Sequence, residues 1–123
     1  MNYFVYDYQS ASITDIGKCR STNQDEVIEM PEQGFFAVSD GMGGLIKGGE
    51  TSTLIKEWLP QMIIDSEADL QEALSPQQAG KILIEKYNAL NDQIFEIGCE
   101  YGDGSFGATL SGVWLVADSA VSV

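Results

Sequence analysis

The chain has 123 residues, of which 44% are hydrophobic, so it is long enough for one folded domain and unlike a disordered chain. Its formal net charge of −13, from 19 acidic and 6 basic residues, argues against nucleic acid and anionic membranes as partners. The sequence contains no histidine, which excludes histidine-dependent triads and zinc–histidine sites.

The first forty residues predict a series of short strands. These are residues 4–8, 10–15, 26–30 and 35–39. Pro31-Glu32-Gln33-Gly34 is typical of a tight turn, so the strands on either side of it should form a hairpin. That hairpin carries Asp25 back alongside Asp40. Two carboxylates at the same end of adjacent strands are the beginning of a cation site.

A glycine-rich loop, beginning at Gly41, follows the strand that ends at Asp40. It departs from the dinucleotide-binding pattern because Ile46 stands where the third glycine belongs, and from a P-loop because Lys47 precedes Gly48. Asp40 would also repel a phosphate held directly by backbone amides. A hard cation would accept the carboxylate of Asp40 and a carbonyl such as that of Gly41. The remaining alternatives are an Mg²⁺ or Mn²⁺ site and a capped strand–helix turn.

Two amphipathic helices are predicted after this loop. The first covers residues 50–62, and the second runs from a capping box formed by Ser75 and Gln78 to about residue 97. Residues 65–69 should be a solvated acidic linker and residues 98–107 a loop, before strands at 108–116 and 120–123. The expected core residues are Leu54, Ile55, Trp58, Leu59 and Met62, with Ile82, Leu83, Tyr87, Leu90, Ile94 and Ile97 on the second helix. The order of elements indicates an α+β fold with an antiparallel sheet and a helix layer.

Three stretches, in this order, resemble motifs of the PPM-type (type 2C) metal-dependent Ser/Thr protein phosphatases. Residues 17–25, with Arg20 and Asp25, are similar to the early motif Gly-x-x-Arg-x-x-Asn-Gln/Glu-Asp. Residues 36–44, followed by Gly49-Glu50-Thr51-Ser52, resemble the bacterial form of the next motif, although Leu45 stands where many members have histidine. Gly107-Ala108-Thr109-Leu110 resembles the later Gly-Thr/Ala-Thr motif.

This resemblance implies a four-layer antiparallel β-sandwich flanked by helix pairs, with residues 1–123 as the N-terminal portion of a single domain. By position, Asp40 would bridge two Mn²⁺ or Mg²⁺ ions, Gly41 would lend its carbonyl, and Asp25 would serve the second ion. Arg20 would hold the substrate phosphate. The family completes its metal centre with aspartates of its C-terminal half, and this sequence ends before them. We therefore expect residues 1–123 to represent a truncated or fragmentary phosphatase that is inactive alone.

Three functional hypotheses follow. The first is a signalling phosphatase that hydrolyses phosphoserine and phosphothreonine in a phosphorylated protein by means of a metal-bound hydroxide. The second is a non-catalytic pseudophosphatase or fragment that binds a phosphoprotein or a regulator. The third is a small acidic domain in which Asp25 and Asp40 are ordinary turn residues. Cys19 and Cys99 lack metal-type spacing and no apolar run is long enough to span a membrane, so we expect a cytoplasmic protein. We also expect the fragment to self-associate, because its last strands would lack partners.

Overall fold

One antiparallel sheet, covered on one face by two helices, makes up the computed structural model, which describes residues 5–42, 47–68, 75–101 and 107–123. The strands are β1 (Asp25–Met30), β2 (Phe35–Met42), β3 (Gly107–Ala108), β4 (Ser111–Val116) and β5 (Ser119–Ser122), and the helices are α1 (Lys47–Ala68) and α2 (Pro76–Tyr101). The sheet order is β1-β2-β4-β5, with the short β3 beside the end of β2. This arrangement confirms the predicted α+β fold class.

The predicted hairpin between β1 and β2 is present. The amide of Gln33 donates to the carbonyl of Met30 at 3.1 Å, and the amide of Gly34 donates to the carbonyl of Pro31 at 3.3 Å. Gly34 has φ of +70°, a left-handed conformation that a residue without a β-carbon adopts at little cost. The turn chemistry therefore fixes which residues of the two strands lie opposite each other.

The core lies between the sheet and the helices, with Trp114 of β4 near its centre. This side chain is 1% exposed and packs edge-on against Phe35, with ring centroids 6.4 Å apart. Its indole N–H donates to the carbonyl of Gln33 at 3.0 Å, so a large apolar ring is buried without leaving its polar atom unpaired. The helices contribute Ile55, Leu59, Ile63, Ala79, Leu83 and Leu90.

Both helices are longer than predicted. Helix α1 continues through Pro60 and through residues 65–68 of the predicted acidic linker, where Ser66 is buried and donates to the carbonyl of Met62 at 2.7 Å. Helix α2 begins with the predicted capping box, because Gln78 N donates to Ser75 Oγ at 3.2 Å and Ser75 N donates to Gln78 Oε1 at 2.9 Å. It then takes in residues 98–101 of the predicted loop. Neither described helix is long and apolar enough to cross a membrane.

The two N-terminal strands were predicted wrongly. Residues 5–16, called here the N-terminal segment, form no strand, and residue 4 lies outside the described residues. The amide of Val5 donates to the carbonyl of Ala117 at 2.8 Å, and side chains attach the rest of the segment. The hydroxyls of Ser10 and Ser12 donate to the two carboxylate oxygens of Glu29, each at 2.6 Å. The hydroxyl of Tyr8 donates to the carbonyl of Pro31, and its ring packs edge-on against Phe36.

The face of the sheet opposite the helices, called here the outer face, carries a largely apolar surface. Its residues are Asp25, Val27, Glu29, Phe36, Val38, Asp40, Val113 and Leu115. A cavity of about 640 Å³ lies between this face and residues 8–12 of the N-terminal segment. Val38 remains 57% exposed there. The outer face also carries both aspartates of the predicted cation site.

Candidate metal and phosphate site

Asp25 and Asp40 are directly opposite each other in the β1–β2 ladder, as the predicted hairpin requires. They are the first residue of β1 and the sixth residue of β2, so both project from the outer face at one end of the hairpin. Residues paired in this way on one face have their β-carbons only about 5 Å apart. The sequence therefore located this pair of carboxylates correctly.

The ionisation of Asp25 depends on its neighbours. The neighbouring Asp40 raises the pKa of Asp25, first because a hydrogen bond between the two side chains favours the protonated form. Partial burial and the like charge of Asp40 raise this pKa further, and the positive charge of Arg20 opposes the rise. One oxygen, Asp25 Oδ1, is buried and has no hydrogen-bond partner in the described part of the chain. A buried, unpaired carboxylate oxygen is costly unless a proton or a cation satisfies it.

This donor set fits a hard divalent cation. Carboxylate oxygens and backbone carbonyls are the ligands that Mg²⁺ and Mn²⁺ prefer, and a cation between Asp25 and Asp40 would offset their repulsion. Gly41, whose carbonyl is the third predicted ligand, is buried and its amide donates to the carbonyl of Gln24 at 3.0 Å. Within residues 5–42, 47–68, 75–101 and 107–123, no group of three or more Cys, Asp or Glu side chains comes together as a metal cluster. The described chain thus brings two carboxylates together, with Gly41 next to Asp40 on β2.

Thr109 is a site residue to which the sequence assigned no role. Its hydroxyl accepts a hydrogen bond from the amide of Asp40 at 3.2 Å, and its own amide donates to the carbonyl of Asp40 at 2.9 Å. Because Gly41 is held by Gln24, the backbone of residues 40–41 is fixed from both sides. The sequence signal that could have identified this residue was the threonine of the motif at residues 107–110. Thr109 holds the end of β2 that carries Asp40 and Gly41.

Arg20 lies on an exposed loop after the N-terminal segment, within electrostatic range of Asp25. A cavity of about 330 Å³ separates the end of the N-terminal segment from the acid pair, and Thr14, Asp15, Asp25, Asp40 and Thr109 contribute to its lining. The second half of the glycine loop, residues 43–46, lies outside the described residues, as do the side chains of residues 47–50. Leu45 and the side chain of Glu50, which the sequence singled out, are therefore not placed.

Comparisons with known proteins support the fold. No protein-family model and no curated protein matches the sequence. Among solved structures, the chain is similar to "PppA, a key regulatory component of T6SS in Pseudomonas aeruginosa", with 27% sequence identity and a TM-score of 0.71. The match covers 88% of this chain and 44% of PppA, so the chain spans less than half the length of that protein. A single antiparallel sheet with one helix pair is consistent with part of a PPM-like fold.

Proposed function

We propose that residues 1–123 form the N-terminal portion of a metal-dependent protein phosphatase domain that acts on phosphoserine and phosphothreonine. The observation that carries this proposal is the pairing of Asp25 with Asp40 at the end of the hairpin, with Asp25 Oδ1 buried and unpaired in the described chain. The likeness to PppA and the order of the three motifs support it.

Each site residue has a distinct role in this proposal. Asp25, Asp40 and the carbonyl of Gly41 hold Mn²⁺ or Mg²⁺, and Thr109 keeps the backbone of Asp40 in place. When held there, the cations would supply Lewis-acid chemistry for activating water and neutralising charge on the phosphoryl oxygens. Arg20 binds the substrate phosphate, because its guanidinium offers two parallel donors to an oxyanion. None of these roles needs a histidine.

Manganese binding tests the site directly in the 123-residue chain. The electron paramagnetic resonance signal of free Mn²⁺ is measured as protein is added, for the original sequence and for Asp40→Asn and Asp25→Asn. We expect each substitution to weaken Mn²⁺ binding by roughly tenfold or more, since the number of charged ligands sets the affinity for a divalent cation. Asp92→Asn, an equal charge change on the exposed side of α2, is the matched control. Equal affinity in all four proteins would overturn the metal assignment.

A non-catalytic role as a phosphoprotein- or regulator-binding module is the second candidate. The description of PppA as a key regulatory component favours it, because that description names regulation and no reaction. Binding of a labelled phosphoserine peptide, measured by fluorescence anisotropy with and without Mn²⁺, separates the two. A phosphatase site requires Mn²⁺ for this binding and loses it in Asp40→Asn, whereas a binding module retains it without metal and in Asp40→Asn.

A further inference from the structure

The loop that carries Arg20, residues 15–22, has little to hold it in place by packing. All eight residues are exposed, and none belongs to a helix or strand. Near its start, the amide of Gly17 donates to Asp15 Oδ1 at 2.7 Å, and Gly17 has φ of +75°. Such a local turn sets the direction of the chain. An exposed loop with so few contacts nevertheless needs a further restraint to keep one side chain in a fixed position.

That restraint is present at the base of the loop, where Asn23 bonds in two directions. Its side-chain Nδ2 donates to Thr14 Oγ1 at 2.9 Å, which joins the residue before the loop to the residue after it. Its Oδ1 accepts a hydrogen bond from the backbone amide of Asp25 at 3.0 Å. One amide side chain therefore closes the loop and also fixes the backbone of a predicted metal ligand. Thr14 and Asp25 both line the cavity of about 330 Å³ at the acid pair.

We propose that Asn23 and Thr14 are positioning residues that close the base of the 15–22 loop and so hold Arg20 on a loop anchored beside Asp25. This inference rests on the proposed function, because it assigns the loop to the phosphate that the metal site would act on. The two hydrogen bonds of Asn23 have different functions. The bond to Thr14 orders the loop, and the bond to the amide of Asp25 places the carboxylate. Substitutions at Thr14 and Asn23 should therefore have different effects.

The exposed Cys19, next to Arg20, provides a reporter for this loop. With Cys99 replaced by serine, a nitroxide on Cys19 reports loop mobility through its line shape. Mn²⁺ bound at the acid pair broadens the nitroxide signal by an amount that depends on the distance between the ion and the label. The signal of free Mn²⁺ in the same sample measures metal binding. The variants are Thr14→Val, which keeps the shape of the side chain but removes the acceptor, Thr14→Ser, which restores a hydroxyl, and Asn23→Ala. Thr22→Val is the control for a similar change within the loop.

We expect Thr14→Val to raise the mobile fraction of the label roughly two- to tenfold, as loss of one hydrogen bond implies. Broadening by Mn²⁺ should fall while Mn²⁺ affinity stays unchanged, and Thr14→Ser should restore both signals. Asn23→Ala should increase loop mobility and also weaken Mn²⁺ binding. Thermal melting followed by tryptophan fluorescence identifies any variant that fails to fold.

The proposal is overturned if Thr14→Val matches the original protein, or if Thr22→Val changes the label as much as Thr14→Val does. A label that becomes mobile without any loss of Mn²⁺ broadening would also contradict the positioning of Arg20. If no protein binds Mn²⁺, the proposed metal function fails, and the mobility comparison still decides whether Asn23 and Thr14 close the loop.

Discussion

Arg20, the single arginine in the sequence, combines an exposed position with a charge that acts on Asp25. An exposed side chain contributes little to the free energy of unfolding, so its value lies in what it binds. We expect Arg20→Lys to lower the affinity for a phosphoserine peptide by roughly tenfold, because a point charge replaces a two-pronged donor. The melting temperature should not change. Lys18→Ala, which removes a neighbouring cation of the same loop, should have a smaller effect on affinity. A large loss of melting temperature with unchanged affinity would show that Arg20 is structural.

The hydrogen bonds that Glu29 accepts from the N-terminal segment should make the stability of the fold depend on pH. Hydrogen bonds from Ser10 and then Ser12 hold the pKa of its carboxyl below the ordinary value of 4.5, against a small opposing effect of burial. A carboxyl group with a lowered pKa in the folded state stabilises the fold fully above its unfolded pKa. This contribution disappears as the pH falls through the lower, folded-state value. Thermal melting between about pH 3 and pH 6 should therefore show a loss of stability towards acid that is smaller in Glu29→Gln. An identical pH profile in the variant would contradict this role.

At the scale of the elements, two glycines test how closely α2 packs on the sheet. A β-carbon at Gly112 of β4 would lie 2.3 Å from the hydroxyl of Tyr87 and 3.1 Å from the ring of Phe35. That hydroxyl is buried without a hydrogen-bond partner in the described chain, and burial raises the pKa of Tyr87 to about 12. At Gly80, on α2, the nearest atom is Val121 Cγ1 at 3.5 Å, which is ordinary contact.

We therefore predict opposite effects of alanine at these positions. Gly112→Ala should destabilise the protein by about 1 to 3 kcal/mol, because Tyr87 and Phe35 must move within a packed core. Gly80→Ala should stabilise it by about 0.5 to 1 kcal/mol, because alanine is the better residue in a helix interior. Urea denaturation of both variants measures the difference. Equal stability of the two would mean that α2 does not pack against β4 at the distance described.

The elements that the sequence predicted well are those determined by nearby residues. The turn at residues 31–34 and the capping box at Ser75 depend on chemistry within four residues. The strands predicted in the N-terminal segment failed because a strand needs a neighbouring backbone to pair with, and propensity carries no information about that neighbour. The acidic character of residues 65–69 suggested a linker, but α1 continues through residues 65–68, where Ser66 is buried.

For the molecule as a whole, the parts of the site that depend on residues close in sequence were predictable, and those that depend on distant residues were not. Asp25 and Asp40 could be brought together from the sequence because a four-residue turn connects their strands. Thr109 lies 69 residues from Asp40, and its hydrogen bonds to that backbone depend on β3 returning beside β2 after two helices. The bond from Asn23 to Thr14 was equally inaccessible, because it spans a loop of no regular structure. The sequence located the two paired carboxylates, whereas the fold provided the residues that hold their backbone.

The outer face should make the 123-residue chain associate with itself. Val27, Val113 and Leu115 lie there half-buried, and Val38 is 57% exposed. Among the described strands β1 is also at an edge of the sheet, and unpaired edge amides invite pairing with another chain. A contiguous apolar face of this kind is unusual on a soluble monomer, and its burial against another surface is favourable by about 25 cal/mol per Å². We therefore expect the chain to bind a hydrophobic dye and to sediment as more than a monomer.

A charge on the outer face should reverse this behaviour. Val38→Lys should lower both dye fluorescence and the apparent mass in analytical ultracentrifugation, because burying an unpaired ammonium in an apolar interface is strongly unfavourable. Ile84→Lys, at a position of α2 that is 52% exposed, adds the same charge on the helical side and should leave association unchanged. If Ile84→Lys is as effective as Val38→Lys, net charge controls association and the outer face has no special role. A monodisperse monomer that does not bind the dye would show that the N-terminal segment already covers this face.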